Sequence, residues 1–192
     1  MKMQRQRWPD FSEILRPETP LEQQLLQEEA FCKGLAWGQP RFGHPEGPVY
    51  KHIREVLDNI DLLGIEGTAR TQLRLVAFAH DTFKYQEPKS IPRDWSKHHG
   101  ILAREFMEQF TDDKTVLNLL QWHDEAFYSW RCIFVYRLPE RGWQRLERLR
   151  KHIGKDLQLY YWFFKCDTET GDKDQTPLRW FEQAVPEITP QP

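Results

Sequence analysis

No apolar run in the sequence approaches the roughly 20 residues that a membrane-spanning helix needs, so no membrane partner is expected. Cysteines are few. The three present, Cys32, Cys132 and Cys166, are odd in number and lack metal-knuckle spacing, so reduced, buried thiols in a cytoplasmic protein are expected. An excess of one charge is also missing: 27 Lys and Arg stand against 29 Asp and Glu. That balance argues against a dedicated nucleic-acid surface, while a few local cations remain enough for a small phosphorylated ligand. The amino terminus, MKMQRQRWPDFSEIL, is basic but has no apolar stretch of the signal-peptide kind, so export is not expected. Internal repeats, low-complexity tracts and a strand–turn–strand series are absent as well. What is present suits one folded domain of 192 residues, 39% hydrophobic, with 8 Trp and 12 Phe as core material.

Residues 1–18 show little periodicity and read as a loosely attached arm. Thr19-Pro20-Leu21-Glu22 reads as a helix start, with Thr19 as cap and Glu22 completing a capping box. That helix is expected to run to Trp37, ahead of the irregular GQPRFGHPEGP segment. Val49, His52, Ile53, Val56, Leu57, Ile60 and Leu63 then recur at helical spacing, closed by Gly64. A third helix spans 68–84, a Pro-containing linker 85–95, and a fourth helix runs from an Asp94 or Ser96 cap to Phe110. Asp112 or Asp113 opens a fifth, carried to Trp130. A last stretch follows Pro139 and can break at Gly154; short β pairing is possible near 132–136. The tail 176–192, with four prolines, is expected to lie over the surface. The reading is an all-α single compact bundle over 19–175 with short irregular arms at either end.

The polar side chains that can bind metal fall on the apolar faces of these helices. His80 lines up with Leu73 between Val76 and Ala77, His99 centres the stripe of Ala103, Phe106 and Phe110, and His123 lies among Leu119, Leu120, Ala126 and Phe127. Asp167 follows Tyr160 and Phe164 on one face, and His52 sits at the edge of its own. A single inward histidine is ordinarily a core residue bonded to a backbone carbonyl, and a single Asp at a helix end is ordinarily a cap. Several together are costly to bury without a partner. A divalent cation satisfies imidazole and carboxylate at once. The adjacent pair His80-Asp81 diverges by about 100° and can line one cleft, with the carboxylate free to bridge two ions.

The order His52, then His80-Asp81 in FAHDTFK, then Asp167 in FFKCDTETGDK resembles the HD-domain superfamily of metal-dependent phosphohydrolases. HDTFK is similar to that family's HD-x-G-K segment, with Phe83 where Gly is common, and HPEGPVYKH resembles the matching part of HD domains attached to tRNA nucleotidyltransferases. The resemblance covers residues 42–170. It implies a helical bundle around a metal held by His52, His80, Asp81 and Asp167, the metal being Mn, Fe, Co, Ni, Zn or Mg. Some members bind a second ion through two further histidines and the bridging Asp. His99 and His123 fall where those are expected, as ligands or as phosphate contacts. His98 competes with His99; His99 is preferred because it centres the apolar face and HGILAREFM fits the family pattern better. His98 would then be solvated or touch substrate.

Lys84 lies one turn beyond His80, where its ammonium could reach a phosphate or simply face solvent. Arg41 could reach an anionic ligand. His44 and His152 read as structural, and the Lys and Arg of 141–155, interleaved with Glu, as a solvated helix face. The resemblance implies hydrolysis of a nucleotide or other small phosphate ester by metal-activated water, with Asp81 as ligand and Lys84 offsetting phosphoryl charge. The alternatives are a di-iron HD-type oxygenase and a non-catalytic nucleotide- or metal-binding module. Oligomeric state is left open.

Overall fold

The computed structural model describes residues 8–191; the first seven residues of the expected arm and Pro192 lie outside them. Among the described residues the chain is helical with no strand, and its single β-bridge joins Arg41 to His44.

Residues 8–18 are not a loose arm. Asp10 caps helix α1 (Phe11–Leu15), accepting the Ser12 and Glu13 N–H groups at 3.0 and 3.2 Å, and Phe11 and Leu15 are buried against α4 (Val49–Leu63). One turn is too short to show a period, and it persists through this packing rather than through its own propensity.

The helix expected over 19–37 is two helices, α2 (Pro20–Leu25) and α3 (Glu29–Leu35). Thr19 caps as expected, accepting the Glu22 N–H at 3.1 Å. In one straight helix Leu25 and Phe31 would point about 120° apart. The break lets both reach the core, where each is fully buried.

Helix α4 ends at Gly64, whose φ of 65° supplies the left-handed turn. Helix α5 (Gly67–Ala79) packs on α4, on α7 (Lys114–Trp122) and on α10 (Leu157–Thr168), so its second half is buried all round. Arg74 within it is buried too, with its Nε 3.0 Å from the equally buried Glu22 carboxylate. The helix ends earlier than expected, and His80-Asp81 occupy its C-terminal turn.

Helix α6 (His99–Met107) follows a short 3-10 turn capped by Asp94, but its own cap is His98, whose Nδ1 accepts the Gly100 N–H at 3.1 Å. Asp113 caps α7 as expected, accepting from Thr115 and Val116. The helix expected to continue to Trp130 is interrupted at His123-Asp124 before α8 (Glu125–Trp130). The Tyr160 hydroxyl sits in that interruption: it accepts the Ala126 N–H at 3.1 Å and lies 3.0 Å from the carbonyls of Trp122 and His123. A side chain nearly 40 positions away satisfies the freed backbone groups. Residues Arg131–Val135 form a π-turn where β pairing was possible.

Helix α9 (Pro139–Ile153) breaks at Gly154 before α10, as expected. The tail expected to be irregular carries helix α11 (Thr176–Ala184), which packs on α8 and α10 and buries Leu178 and Phe181. Pro177 stands at the start of that helix, where its missing N–H costs nothing.

Candidate metal centre

The C-terminal turn of α5 projects His80 and Asp81 between α4, α6 and α10. His80 Nδ1–H donates to the Ala77 carbonyl at 2.9 Å and His123 Nδ1–H to Leu120 at 2.8 Å. Each bond leaves the ring's Nε2 with a bare lone pair facing inward.

Four of the expected residues converge first. His52 Nε2 lies 3.2 Å from His80 Nε2 and 2.9 Å from Asp167 Oδ1. Asp81 Oδ2 is 3.7 Å from His52 Nε2 and 3.6 Å from His80 Nε2. The other Asp81 oxygen faces a second group. Oδ1 is 3.4 Å from His99 Nε2 and 3.8 Å from His123 Nε2, and those two nitrogens are 3.2 Å apart. One carboxylate therefore looks two ways, between two pairs of imidazoles.

This donor set fits divalent ions. Ligands at about 2.1 Å from one ion stand roughly 3.0–3.4 Å from each other, close to the separations within each group. His52 and His99 each turn Nε2 toward the Nε2 of His80 and His123, at 3.2 Å in both pairs, so four imidazole nitrogens converge on the Asp81 carboxylate. His52, His80 and Asp81 form one group able to hold an ion, and Asp81, His99 and His123 another. Imidazole and carboxylate together suit first-row transition metals.

Electrostatics follow from this crowding. Burial, aided by the Lys173 charge, pushes His52 down to about 4, and burial pushes His123 down to about 3. Burial acts the same way on His99, but hydrogen bonds to Asp124, Asp81 and Glu87 outweigh it and raise the ring to about 10. For Asp81 burial opposes ionisation, yet the Lys84 charge and the surrounding histidines hold the carboxyl well below its ordinary value. Asp167 is held low against burial by Lys173 and by His52.

Lys84 does not face open solvent: its ammonium is 2.5 Å from Asp81 Oδ2, and it lines the cleft above the cluster. His99, not His98, lies with His123 and Asp81. His98 is buried as the α6 cap, with Nε2 3.3 Å from Asp124, and it does not line this cleft. Arg41 is exposed and does not line it either. His44 stands at the cleft wall, 2.9 Å from Glu46, while exposed His152 stacks on Trp122 at 4.4 Å.

Four neighbours were not picked out from the sequence. Asp124 Oδ2 lies 3.3 Å from His99 Nε2 and 3.7 Å from His123 Nε2. Glu87 Oε2 accepts His99 Nδ1–H at 2.7 Å. Lys173 donates to Asp167 Oδ1 at 2.9 Å, and Glu46 comes within 3.7 Å of His52 Nδ1. Only Asp124 had a visible signal, since it follows His123 as a second His-Asp pair.

The cleft has a volume of about 730 Å³. Asp81, His99, Asp124 and Asp167 form its polar side, Lys84 and Lys173 flank them, and Trp37, Phe127, Trp130 and Phe164 supply apolar wall. Among the described residues, no helix is long and apolar enough to cross a membrane. A family model described as HD domain matches residues 49–158. No curated protein and no solved structure matches the chain.

Proposed function

Because the chain belongs to the HD-domain family, we propose that it is a metal-dependent phosphohydrolase acting on a nucleotide or another small phosphate ester. The observation that carries this reading is Asp81, whose two oxygens serve different histidine pairs. His52, His80, Asp81 and Asp167 would hold one ion, and Asp81, His99 and His123, with Asp124 beside them, a second. A divalent ion there lowers the pKa of a bound water from roughly 15.7 to about 7 and draws charge from phosphoryl oxygens.

The chain's own groups do the rest. Lys84 and Lys173 place two ammonium groups beside the carboxylates, where they orient an incoming phosphate and offset the charge that grows on its oxygens. The Ala77 and Leu120 carbonyls and the Glu87 carboxylate hold three imidazoles in fixed orientation, so little reorganisation accompanies reaction. The aromatic side of the cleft favours a flat, apolar base, and its volume lies in the range of small-ligand sites. The three unpaired, buried thiols support residence in a reducing compartment such as the cytoplasm.

The test is inorganic phosphate release from a panel of nucleotides and phosphoesters with manganese, cobalt, nickel, iron, zinc or magnesium added. Asp81→Ala should abolish release and lower bound metal while helical circular dichroism is unchanged. Release that survives this substitution would overturn the reading.

A further inference from the structure

A second cavity, of about 480 Å³, adjoins the cleft, with Asp124 and Tyr128 as walls common to both and His98 lining only this one. It is built on the part of α9 that sequence alone reads as a solvated face. Arg141, Arg145 and Arg148 stand there at spacings of four and three, on one side of the helix, and all three line the cavity.

Arg145 is buried, with its guanidinium 4.8 Å from the Trp95 ring and 5.4 Å from the Tyr128 ring. Its Nη2 donates to Glu125 at 2.6 Å, but its Nε is buried with no partner. Arg148 reaches the other Glu125 oxygen at 3.3 Å. Glu125 is thus shared by two arginines, and no carboxylate among the described residues pairs with Arg141. Asp124, the remaining acid of the lining, turns its Oδ2 to His98 and His99. The cavity therefore keeps an uncompensated positive side. Its apolar side is Trp95, Trp122 and Ile101, with His152 stacked on Trp122 at 4.4 Å and the Arg145 guanidinium over Trp95, so a planar ligand would stack on the faces left to it.

Guanidinium groups match phosphate oxygens in pairs, and indole rings stack on flat heterocycles. We propose that this cavity is a second ligand site, beside the metal-centre cleft, that binds a phosphorylated molecule with a planar aromatic ring, of the nucleoside-monophosphate class. Its occupant touches His98 and Asp124, the side chains that face His99.

The test uses the full-length Asp81→Ala chain without added metal, so that hydrolysis plays no part, with adenosine 5′-monophosphate as probe; any equivalent held in the cleft is told apart by its loss with Lys84→Ala. Calorimetry and quenching of tryptophan fluorescence should report one equivalent bound. Adenosine alone and inorganic phosphate alone should each bind at least tenfold more weakly. Adding Arg141→Gln and Arg148→Gln, both exposed side chains, should weaken the nucleotide at least tenfold without moving the melting temperature. Adding Lys84→Ala in their place should leave binding unchanged. Absence of saturable binding, indifference to the arginine substitutions, or equal loss with Lys84→Ala would overturn the proposal. Phosphate release by the native chain is read independently, so the two readings fail separately.

Discussion

Glu87, at the edge of the cleft, shows how a carboxylate bonded to the far side of an imidazole sets that ring's orientation. Its Oε2 accepts both the backbone N–H of His99, at 3.1 Å, and the ring Nδ1–H, at 2.7 Å, which turns Nε2 toward Asp81. Burial opposes its ionisation, but the bonds from His99 and Arg93 hold its carboxyl down at about 2. Glu87→Gln removes the charge and keeps the shape. Outer partners of this kind typically carry a factor of 10–100 in metal affinity, so metal titration should show the ion at His99 and His123 weakened by about that factor, with the ion at His52 and His80 unmoved. Equal weakening of both would mean that Glu87 only supports the loop. Asp124→Asn should act more directly and leave one tightly held equivalent; two retained equivalents would remove Asp124 from the site. The division between what was legible and what was not follows from position. His52, His80, His99, His123 and Asp167 each lie in or beside an apolar helical stripe, where a polar side chain stands out. Glu87 and Lys173 lie in loops, and Glu46 before a helix, where acids and lysines are common and only the folded chain supplies their partners.

Among the elements, the sequence period identified the long helices well and the interruptions poorly. Helices α7 and α9 begin where a cap and a proline indicate, because those signals act within one turn. The breaks between α2 and α3 and between α7 and α8 depend on distant partners, and neither carries Gly or Pro. Helix α3 has a further consequence for the site. A Cβ built on Gly34 would stand 1.8 Å from the Thr82 carbonyl oxygen, in the turn that presents His80 and Asp81. The neighbouring atom is backbone, so relief requires moving that turn. Gly34→Ala should gain the higher helix propensity of Ala, about 1 kcal/mol, and lose more to overpacking, whose usual cost is about 1–3 kcal/mol. Denaturant unfolding should show net destabilisation, and metal binding should weaken with it because the strain falls on the ligand turn. A variant as stable as the parent, with metal affinity intact, would show that α3 can withdraw without cost.

At the scale of the whole molecule, the chain ends matter more than their composition suggests. The stretch after Asp174 contains four prolines and little obvious period, yet α11 closes the bundle over α8 and α10. Phe181 meets Tyr160 at 5.8 Å and Phe164 at 5.5 Å between ring centroids. Leu178, Phe181, Val185 and Ile188 are all buried. Each such side chain contributes about 1.5–3 kcal/mol on burial, so the four together represent roughly 6–12 kcal/mol, against a total stability of about 5–15 kcal/mol for an ordinary domain. Tyr160 also fills the break between α7 and α8, beside His123, so uncovering it loosens the metal centre as well as the core. Deleting residues 176–192 should therefore abolish the cooperative thermal transition or lower its midpoint by well over ten degrees, as about 1 kcal/mol shifts a chain of this size by roughly 2–4 °C. Circular dichroism melting of the truncated chain beside the full one measures this. A preserved midpoint would mean that α11 rests on a bundle already complete without it, and that the domain ends before residue 176, as its composition suggests.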